Sequence, residues 1–243
     1  METGEPGEPG ATRTCALPPW TADAPVAADA RWRAHDLLKL RRLPELPEAP
    51  AWVQRAFARA PFAVVRRAES AAGFVAVGLR GTGRHERYGT WAETGDIEAL
   101  IAPEDLAGAR PSADRAQYPA FVMLNTVRKA PCLSAFTWGP TGSAGFELAT
   151  GLPTVISSSD LDLLIRTPAP LSMDAARALL DALNAEAARA GTRIDVQLET
   201  PAGGVALAEF AANKARVLVR RAQGPQRVAD PWLAAGPQTQ EST

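Results

Sequence analysis

Long apolar runs, cysteine, histidine and net charge are what this 243-residue chain has least of, and each shortage removes a class of explanation. No apolar stretch approaches the roughly 20 residues that a helix needs to cross a bilayer. The opening Met-Glu-Thr-Gly-Glu-Pro-Gly-Glu-Pro is acidic and has no apolar centre, the reverse of a secretory leader, so the expected place is the cytoplasm. The two cysteines, Cys15 and Cys132, lie far apart and form no Cys-x-x-Cys pair, which argues against a structural zinc and a disulfide framework alike. The two histidines, His35 and His85, are near neither cysteine, and neither reads as a metal ligand. With 26 basic and 27 acidic residues the net charge is −1, so there is no global attraction to nucleic acid or to an anionic membrane. The six tryptophans are scattered, which favours core and interface packing over a stacking platform.

What is present is an ordinary soluble composition, 46% hydrophobic and 22% charged, on a chain long enough for one large domain or two small ones. Residues 1–30 and 234–243 are small, polar and rich in glycine and proline, and read as flexible tails. Between them, residues 31–111 are expected to form a small α/β unit. Phe62–Arg67 and Phe74–Leu79 are β-rich runs joined by a hairpin at Ser70-Ala-Ala-Gly73, and the basic loop Arg80–Arg87 follows, with Arg80, Arg84 and Arg87. Asp96–Ile101 and Pro103–Leu106 read as short helical pieces.

Residues 112–233 are expected to form a second α/β unit of strand, turn-helix, strand, helix, strand, helix, strand. The apolar spacing over 114–129 predicts a leading helix, Leu133–Trp138 a strand, Gly145–Thr150 a short helix and Ser159–Ile165 a strand. Ser172–Ala190 is the clearest helix: Ser172 caps it, Asp174 suits its first turn, Gly191 suits its end, and Met173, Ala176, Leu179, Leu180, Leu183 and Ala187 form its buried stripe. Arg193–Glu199 alternates as a strand, with Asp195, Gln197 and Glu199 opposite Ile194, Val196 and Leu198. Leu207–Ala215 reads as a short helix and Val217–Val219 as a last strand.

The chemistry concentrates in that second unit. Trp138-Gly-Pro-Thr-Gly-Ser-Ala-Gly145 ends a strand and opens a helix. Glycines 139, 142 and 145 let a ligand approach the backbone, the helix-start N–H groups favour a phosphate, and Ser143 adds a hydroxyl. No Lys-Ser/Thr follows the last glycine, so this is not a Walker loop, and the glycine spacing is not that of a dinucleotide fold. Asp160 and Asp162, at i and i+2 on a strand, share a face, and Asp195 on the next strand makes a third carboxylate. Like charges held so close invite a cation between them, and Mg²⁺ takes such hard oxygen ligands together with substrate phosphates. Two ions so held would orient the attacking and leaving oxygens of an in-line displacement, with Asp195 favouring deprotonation of the incoming hydroxyl. An Asp-x-Asp alone is more often a solvated strand edge; the glycine-serine turn and the third aspartate tip the balance. Lys214, Arg216, Arg220, Arg221 and Arg227 form a basic cluster that is a solvated face, a grip on a triphosphate, or a dock for an acidic partner.

These runs resemble a known family. Gly139-Pro-Thr-Gly-Ser-Ala-Gly-Phe-Glu147 and Asp195-Val-Gln-Leu-Glu-Thr-Pro201 are its narrowest signatures, with His35-Asp-Leu-Leu38, Val77-Gly-Leu-Arg-Gly81, Arg216–Arg220 and Asp230-Pro-Trp232 alongside. The chain is similar to malonate decarboxylase holo-acyl-carrier-protein synthases, also called phosphoribosyl-dephospho-CoA transferases, over about residues 31–233. The resemblance implies a polymerase-β-like nucleotidyltransferase domain with a mixed sheet and flanking helices. It implies transfer of the phosphoribosyl-dephospho-CoA group from 2′-(5″-triphosphoribosyl)-3′-dephospho-CoA to a serine of the malonate decarboxylase acyl-carrier subunit, with release of pyrophosphate. Carried onto this sequence, Asp160, Asp162 and Asp195 would hold two Mg²⁺ ions and Gly142 and Ser143 the triphosphate; from the two basic groups, Lys214, Arg216 and Arg80 are the further candidate substrate contacts. Two other readings stand beside it: an ATP-dependent adenylyltransferase sharing the same motifs, and a non-catalytic module that binds a carrier protein.

Overall fold

The computed structural model describes residues 15–21, 24–25, 29–83 and 86–233, and the protein is α/β, built on two sheets. The first sheet is antiparallel throughout. Its strands are β1 (Leu37–Leu40), β2 (Phe62–Val65), β3 (Phe74–Arg80), β4 (Arg87–Glu93) and β5 (Ile97–Ile101), in the order β4-β3-β2-β1-β5, with helix α1 (Ala51–Arg59) between β1 and β2. Leu38, Leu40, Val65 and Val77 are buried with Val53 of α1, so the helix closes one face of this sheet.

Residues 97–101 form a strand rather than the expected helical piece, preceded by a single 3₁₀ turn at Thr94–Asp96. The reason is tertiary: Ile97–Ile101 completes the edge beside β1, and that pairing outweighs a weak local preference. Pro103–Leu106 is a 3₁₀ turn. The N-terminal tail expected over residues 1–30 is described only in part, and residues 1–14 lie outside the described residues. Cys15 to Trp20 is laid on the sheet: the Ala16 N–H donates to the Gly89 carbonyl (2.8 Å), and Trp20 meets Phe74 and Trp91. The C-terminal tail, 234–243, also falls outside the described residues.

The second sheet has six strands, two more than the sequence suggests: β6 (Thr137–Pro140), β7 (Leu161–Arg166), β8 (Ile194–Thr200), β9 (Gly203–Ala206), β10 (Val217–Arg221) and β11 (Gly224–Val228), in the order β11-β10-β9-β8-β7-β6. Only β7 and β8 are parallel. A parallel pair needs a crossover, and α4 (Met173–Ala190) is that crossover. Ser172 caps it by accepting from the Ala175 N–H (3.2 Å), and Gly191 ends it in the left-handed conformation at φ 70°. Helix α2 (Pro119–Val127) packs beside it, α3 (Gly142–Thr150) follows β6, and α5 (Leu207–Ala211) is shorter than expected, ending before Asn213 at φ 52°. β9 and β11 lack the long apolar runs that announce a strand, and their hairpin partners β8 and β10 dictate them.

Period-two alternation decides what the site inherits. Leu161, Leu163 and Ile165 of β7 and Val196 and Leu198 of β8 are buried beneath the helices, each stabilising by about 1.5–3 kcal/mol. Asp162 and Arg166, with Asp195, Gln197 and Glu199, therefore point to the opposite face. At Arg166, Gln197 and Glu199 that face meets the first unit, while Asp195 at the strand start stays exposed.

Candidate functional site

Asp162 and Asp195 are direct neighbours across the parallel β7–β8 pair. Asp195 is exposed and Asp162 partly buried. Burial raises the Asp162 carboxyl above its usual range, and the charges of Asp195 and Asp160 push it further; Arg80 and Arg87 act the other way. These two arginines are register partners at the end of the β3–β4 hairpin, so the first sheet supplies positive charge that acts on Asp162. Arg84 and His85 lie outside the described residues.

Gly142 is where the glycine turn meets the acids. It begins α3 at φ 58°, and a methyl group on its Cα would overlap the Asp162 Oδ2, so only glycine admits the carboxylate there. The Thr141 N–H donates to the Asp162 carbonyl (2.9 Å), which fixes the turn to the strand. Ser143 is buried directly behind. The other two glycines do something else: Gly139 makes room for the Pro103 carbonyl of the 3₁₀ turn, and Gly145 for the Pro140 carbonyl. They pack the backbone, and only Gly142 faces the carboxylates.

Asp160 is placed differently from the expectation of a strand neighbour. β7 begins one residue later, at Leu161, and the Asp160 carboxylate accepts from both Arg193 Nη2 (2.8 Å) and Nε (3.2 Å). Among the described residues no three carboxylate, imidazole or thiol groups converge closely enough to hold a metal ion as they stand. The fit to a divalent cation therefore rests on Asp162 and Asp195, whose mutual repulsion a cation would relieve, and Asp160 joins them only by leaving Arg193.

The basic cluster separates into two places. Lys214 and Arg216 are exposed just before β10, at the sheet end where Asp195 also lies. Arg220 and Arg221 are at the far end of β10, with Arg220 donating to Gln197 Oε1 (3.3 Å) and Arg221 to Gln226 Oε1 (2.9 Å).

Sequence pattern assigns no role to three supporting groups, although Glu147, His35 and Glu199 lie in the runs that carry the resemblance. Glu147 of α3 is buried and accepts from Arg115 Nε (2.8 Å) and from the Thr154 and Val155 amides (2.7 Å each). Burial alone would raise its carboxyl; Arg115 and the two amides outweigh that and hold it below the usual range. The loop so fastened returns a Thr154 hydroxyl to the Ser143 carbonyl (2.8 Å), which braces the helix start. His35, in the left-handed region at φ 75°, faces Gln197, whose Nε2 donates to the His35 Nε2 at 2.8 Å. Arg67 pairs with Glu199 through Nη1 at 2.7 Å and through Nη2. A polar residue on an alternating strand looks the same in sequence whether water or another sheet covers it.

Carboxylates on a strand end, set against a glycine-led helix start with arginines acting on them, suit an α/β enzyme of the transferase class. Comparison with known proteins makes that specific. A family model described as phosphoribosyl-dephospho-CoA transferase MdcG N-terminal domain matches residues 33–103, and the corresponding C-terminal domain matches 106–231. Proteins named phosphoribosyl-dephospho-CoA transferase are similar along most of the chain. That of Pseudomonas putida (strain W619) is 48% identical over 82% of this chain and 94% of its own length; that of Pseudomonas aeruginosa is 42% identical over 83% and 94%. The Azotobacter vinelandii protein is 40% identical over 82% and 93%. No solved structure matches the chain. The chain belongs to the phosphoribosyl-dephospho-CoA transferase family.

Proposed function

We propose that this protein transfers the phosphoribosyl-dephospho-CoA group from 2′-(5″-triphosphoribosyl)-3′-dephospho-CoA to a serine hydroxyl of the malonate decarboxylase acyl-carrier subunit, in the cytoplasm. Residues 112–233 act as the catalytic, nucleotidyltransferase-type domain. The observation that carries the chemistry is the Asp162–Asp195 pair set against Gly142 at the start of α3.

The N–H groups that open α3, at Gly142 and Ser143, take the triphosphate, where helix-start amides favour negative charge. Arg80 and Arg87 balance charge on the carboxylate side, and Lys214 and Arg216 meet the donor from the same sheet end. The serine oxygen bonds to the α-phosphorus in line with the departing oxygen, the bond to the β-phosphate breaks, and pyrophosphate leaves. Asp195, exposed at its strand end, accepts the hydrogen bond of the incoming hydroxyl and favours loss of its proton. Asp162, Asp195 and Asp160 are the residues that would hold Mg²⁺, two ions in all, which would supply charge neutralisation and orientation at the transferred phosphate. Membrane and nucleic acid have no part in this reading: no helix among the described residues is long and apolar enough to cross a membrane.

The test is intact-mass spectrometry of the apo carrier subunit after incubation with this protein, Mg²⁺ and the triphosphoribosyl donor. The expected result is a gain equal to the phosphoribosyl-dephospho-CoA group that disappears when metal is omitted. A gain of AMP from ATP instead would make the protein an adenylyltransferase, and no gain with either donor would leave only carrier binding.

A further inference from the structure

Away from the acid pair, a cleft of about 710 Å³ lies between the two sheets, in the size range of small-molecule sites. The end of β2, the start of β3, the β8–β9 turn and the end of β10 form its walls. Four arginines line it, Arg66, Arg67, Arg220 and Arg221, the Arg66 guanidinium lying over Gly89 of β4. Three acids line it too, but two are taken, Glu199 by Arg67 and Asp29 by Arg31. Arg66, Arg220 and Arg221 have no carboxylate partner among the described residues. Arg66 meets only the Cys15 sulfur at 3.5 Å, and the Nε of Arg221 is buried with no acceptor. Glu69 is the one remaining acid on the wall, so the cleft holds an excess of positive charge. Trp32 and Phe74 give it an aromatic side.

A cavity with unmatched arginines and aromatic walls suits a molecule carrying a diphosphate and a flat or apolar body. We infer that this cleft binds the dephospho-CoA arm of the donor, with Arg66, Arg220 and Arg221 on its diphosphate. The inference rests on the proposed function for the identity of that arm. Geometry favours it as well. Asp195, Gln197 and Glu199 share one face of β8, and the four steps from Asp195 to Glu199 span about 13 Å. The cleft therefore opens at the far end of the face that carries the acid pair. A donor whose reacting phosphate sits at Gly142 and Asp162 has the rest of its length to place in that direction. Gln197, midway, holds Arg220 in position through its Oε1.

The experiment is calorimetric titration of dephospho-CoA, which lacks the triphosphoribosyl group, into the full chain without added metal. Arg66→Ala combined with Arg220→Ala should weaken binding at least tenfold. Ala222→Trp, at the exposed rim, should weaken it similarly by filling the entrance while every arginine stays in place. Asp162→Asn should bind as the natural chain does. Thermal melting identifies any variant that has lost its fold, and the rim variant keeps the test decisive if the arginine pair has. Natural chain that binds dephospho-CoA with the same affinity as all the cleft variants would overturn the cleft assignment and leave the transferase reading untouched. Absence of binding by the natural chain overturns it too. If the apo carrier subunit then binds through these arginines in a salt-sensitive way, the cleft is a protein dock. Failure of the mass-gain assay in the natural chain would count against the proposed function itself, whatever the titration gives.

Discussion

The two ends of one strand face treat carboxylates in opposite ways. At the far end of β8, Glu199 has its charge met by the Arg67 fork, and Gln197 between them is bonded to His35 and Arg220. At the near end, Asp162 and Asp195 stand in register without an ion pair like that of Glu199 recorded among the described residues, and Asp162 is pushed toward protonation by burial and by its neighbours. The matched end joins the two sheets. The unmatched end costs stability at neutral pH, and that cost, held in place by a glycine, is what the proposed site would require.

The contrast predicts opposite signs for mutations at the two ends, and the largest effect is on activity. Asp162→Asn removes the repulsion, so the variant should melt at a higher temperature than the natural chain while losing transfer by about a hundredfold or more. A variant that melts lower and still transfers would reverse the assignment of this end.

Arg67→Ala should do the reverse. Arg67 and Glu199 are largely buried, at 16% and 20% side-chain exposure, so removing one strands the other at a cost of about 3 kcal/mol. Replacing both, as Arg67→Met with Glu199→Leu, should restore most of that. Denaturant unfolding of the four proteins in the cycle gives the coupling directly. A coupling near zero would show that the pair does not fasten the sheets.

His35 extends the matched end into pH. Burial, then Arg67, holds its pKa down to about 4, with Glu199 partly opposing. The unfolded chain takes up a proton near 6.5 and the folded chain only near 4, so stability is full above about 6.5 and falls as the pH drops through that window. The loss reaches roughly 3 kcal/mol at its acid limit. His35→Asn tolerates the left-handed backbone and has no proton to gain, so its stability should be flatter from pH 6.5 to 4. An unchanged slope would place the acid sensitivity elsewhere.

Much of the second unit is legible because its elements announce themselves locally. Ser172 and Gly191 bracket α4, and the alternation of β8 puts Asp195 on the face opposite Val196. The first sheet is less legible. β1 is four residues long, β4 carries Gly89 where a strand former would be clearer, and β5 is a strand only because β1 lies beside it. Within the site, the order glycine turn, Asp162, Asp195 can be read from spacing alone. The fastening of Asp160 by Arg193, the use of Gly139 to seat Pro103, and the separation of Arg216 from Arg220 depend on contacts or sheet register that no local pattern encodes.

The smallest effect tests the boundary between the two ends. Arg193 gives Asp160 the kind of match that Glu199 has, but its own side chain is 76% exposed. Such a pair is worth about 0.5 kcal/mol, so Arg193→Gln should leave the melting temperature nearly unchanged. Its electrostatic consequence is larger than its stability. With the guanidinium gone, the charge on Asp160 acts unopposed on Asp162 and should move that carboxyl further up, which carbon-detected NMR titration can follow. The same variant should bind Mg²⁺ more tightly in a calorimetric titration, because Asp160 no longer has to leave a partner to join Asp162 and Asp195. Weaker Mg²⁺ binding would mean that Arg193 orients Asp160 for the site instead of withholding it, and a matched carboxylate would then serve beside the two unmatched ones.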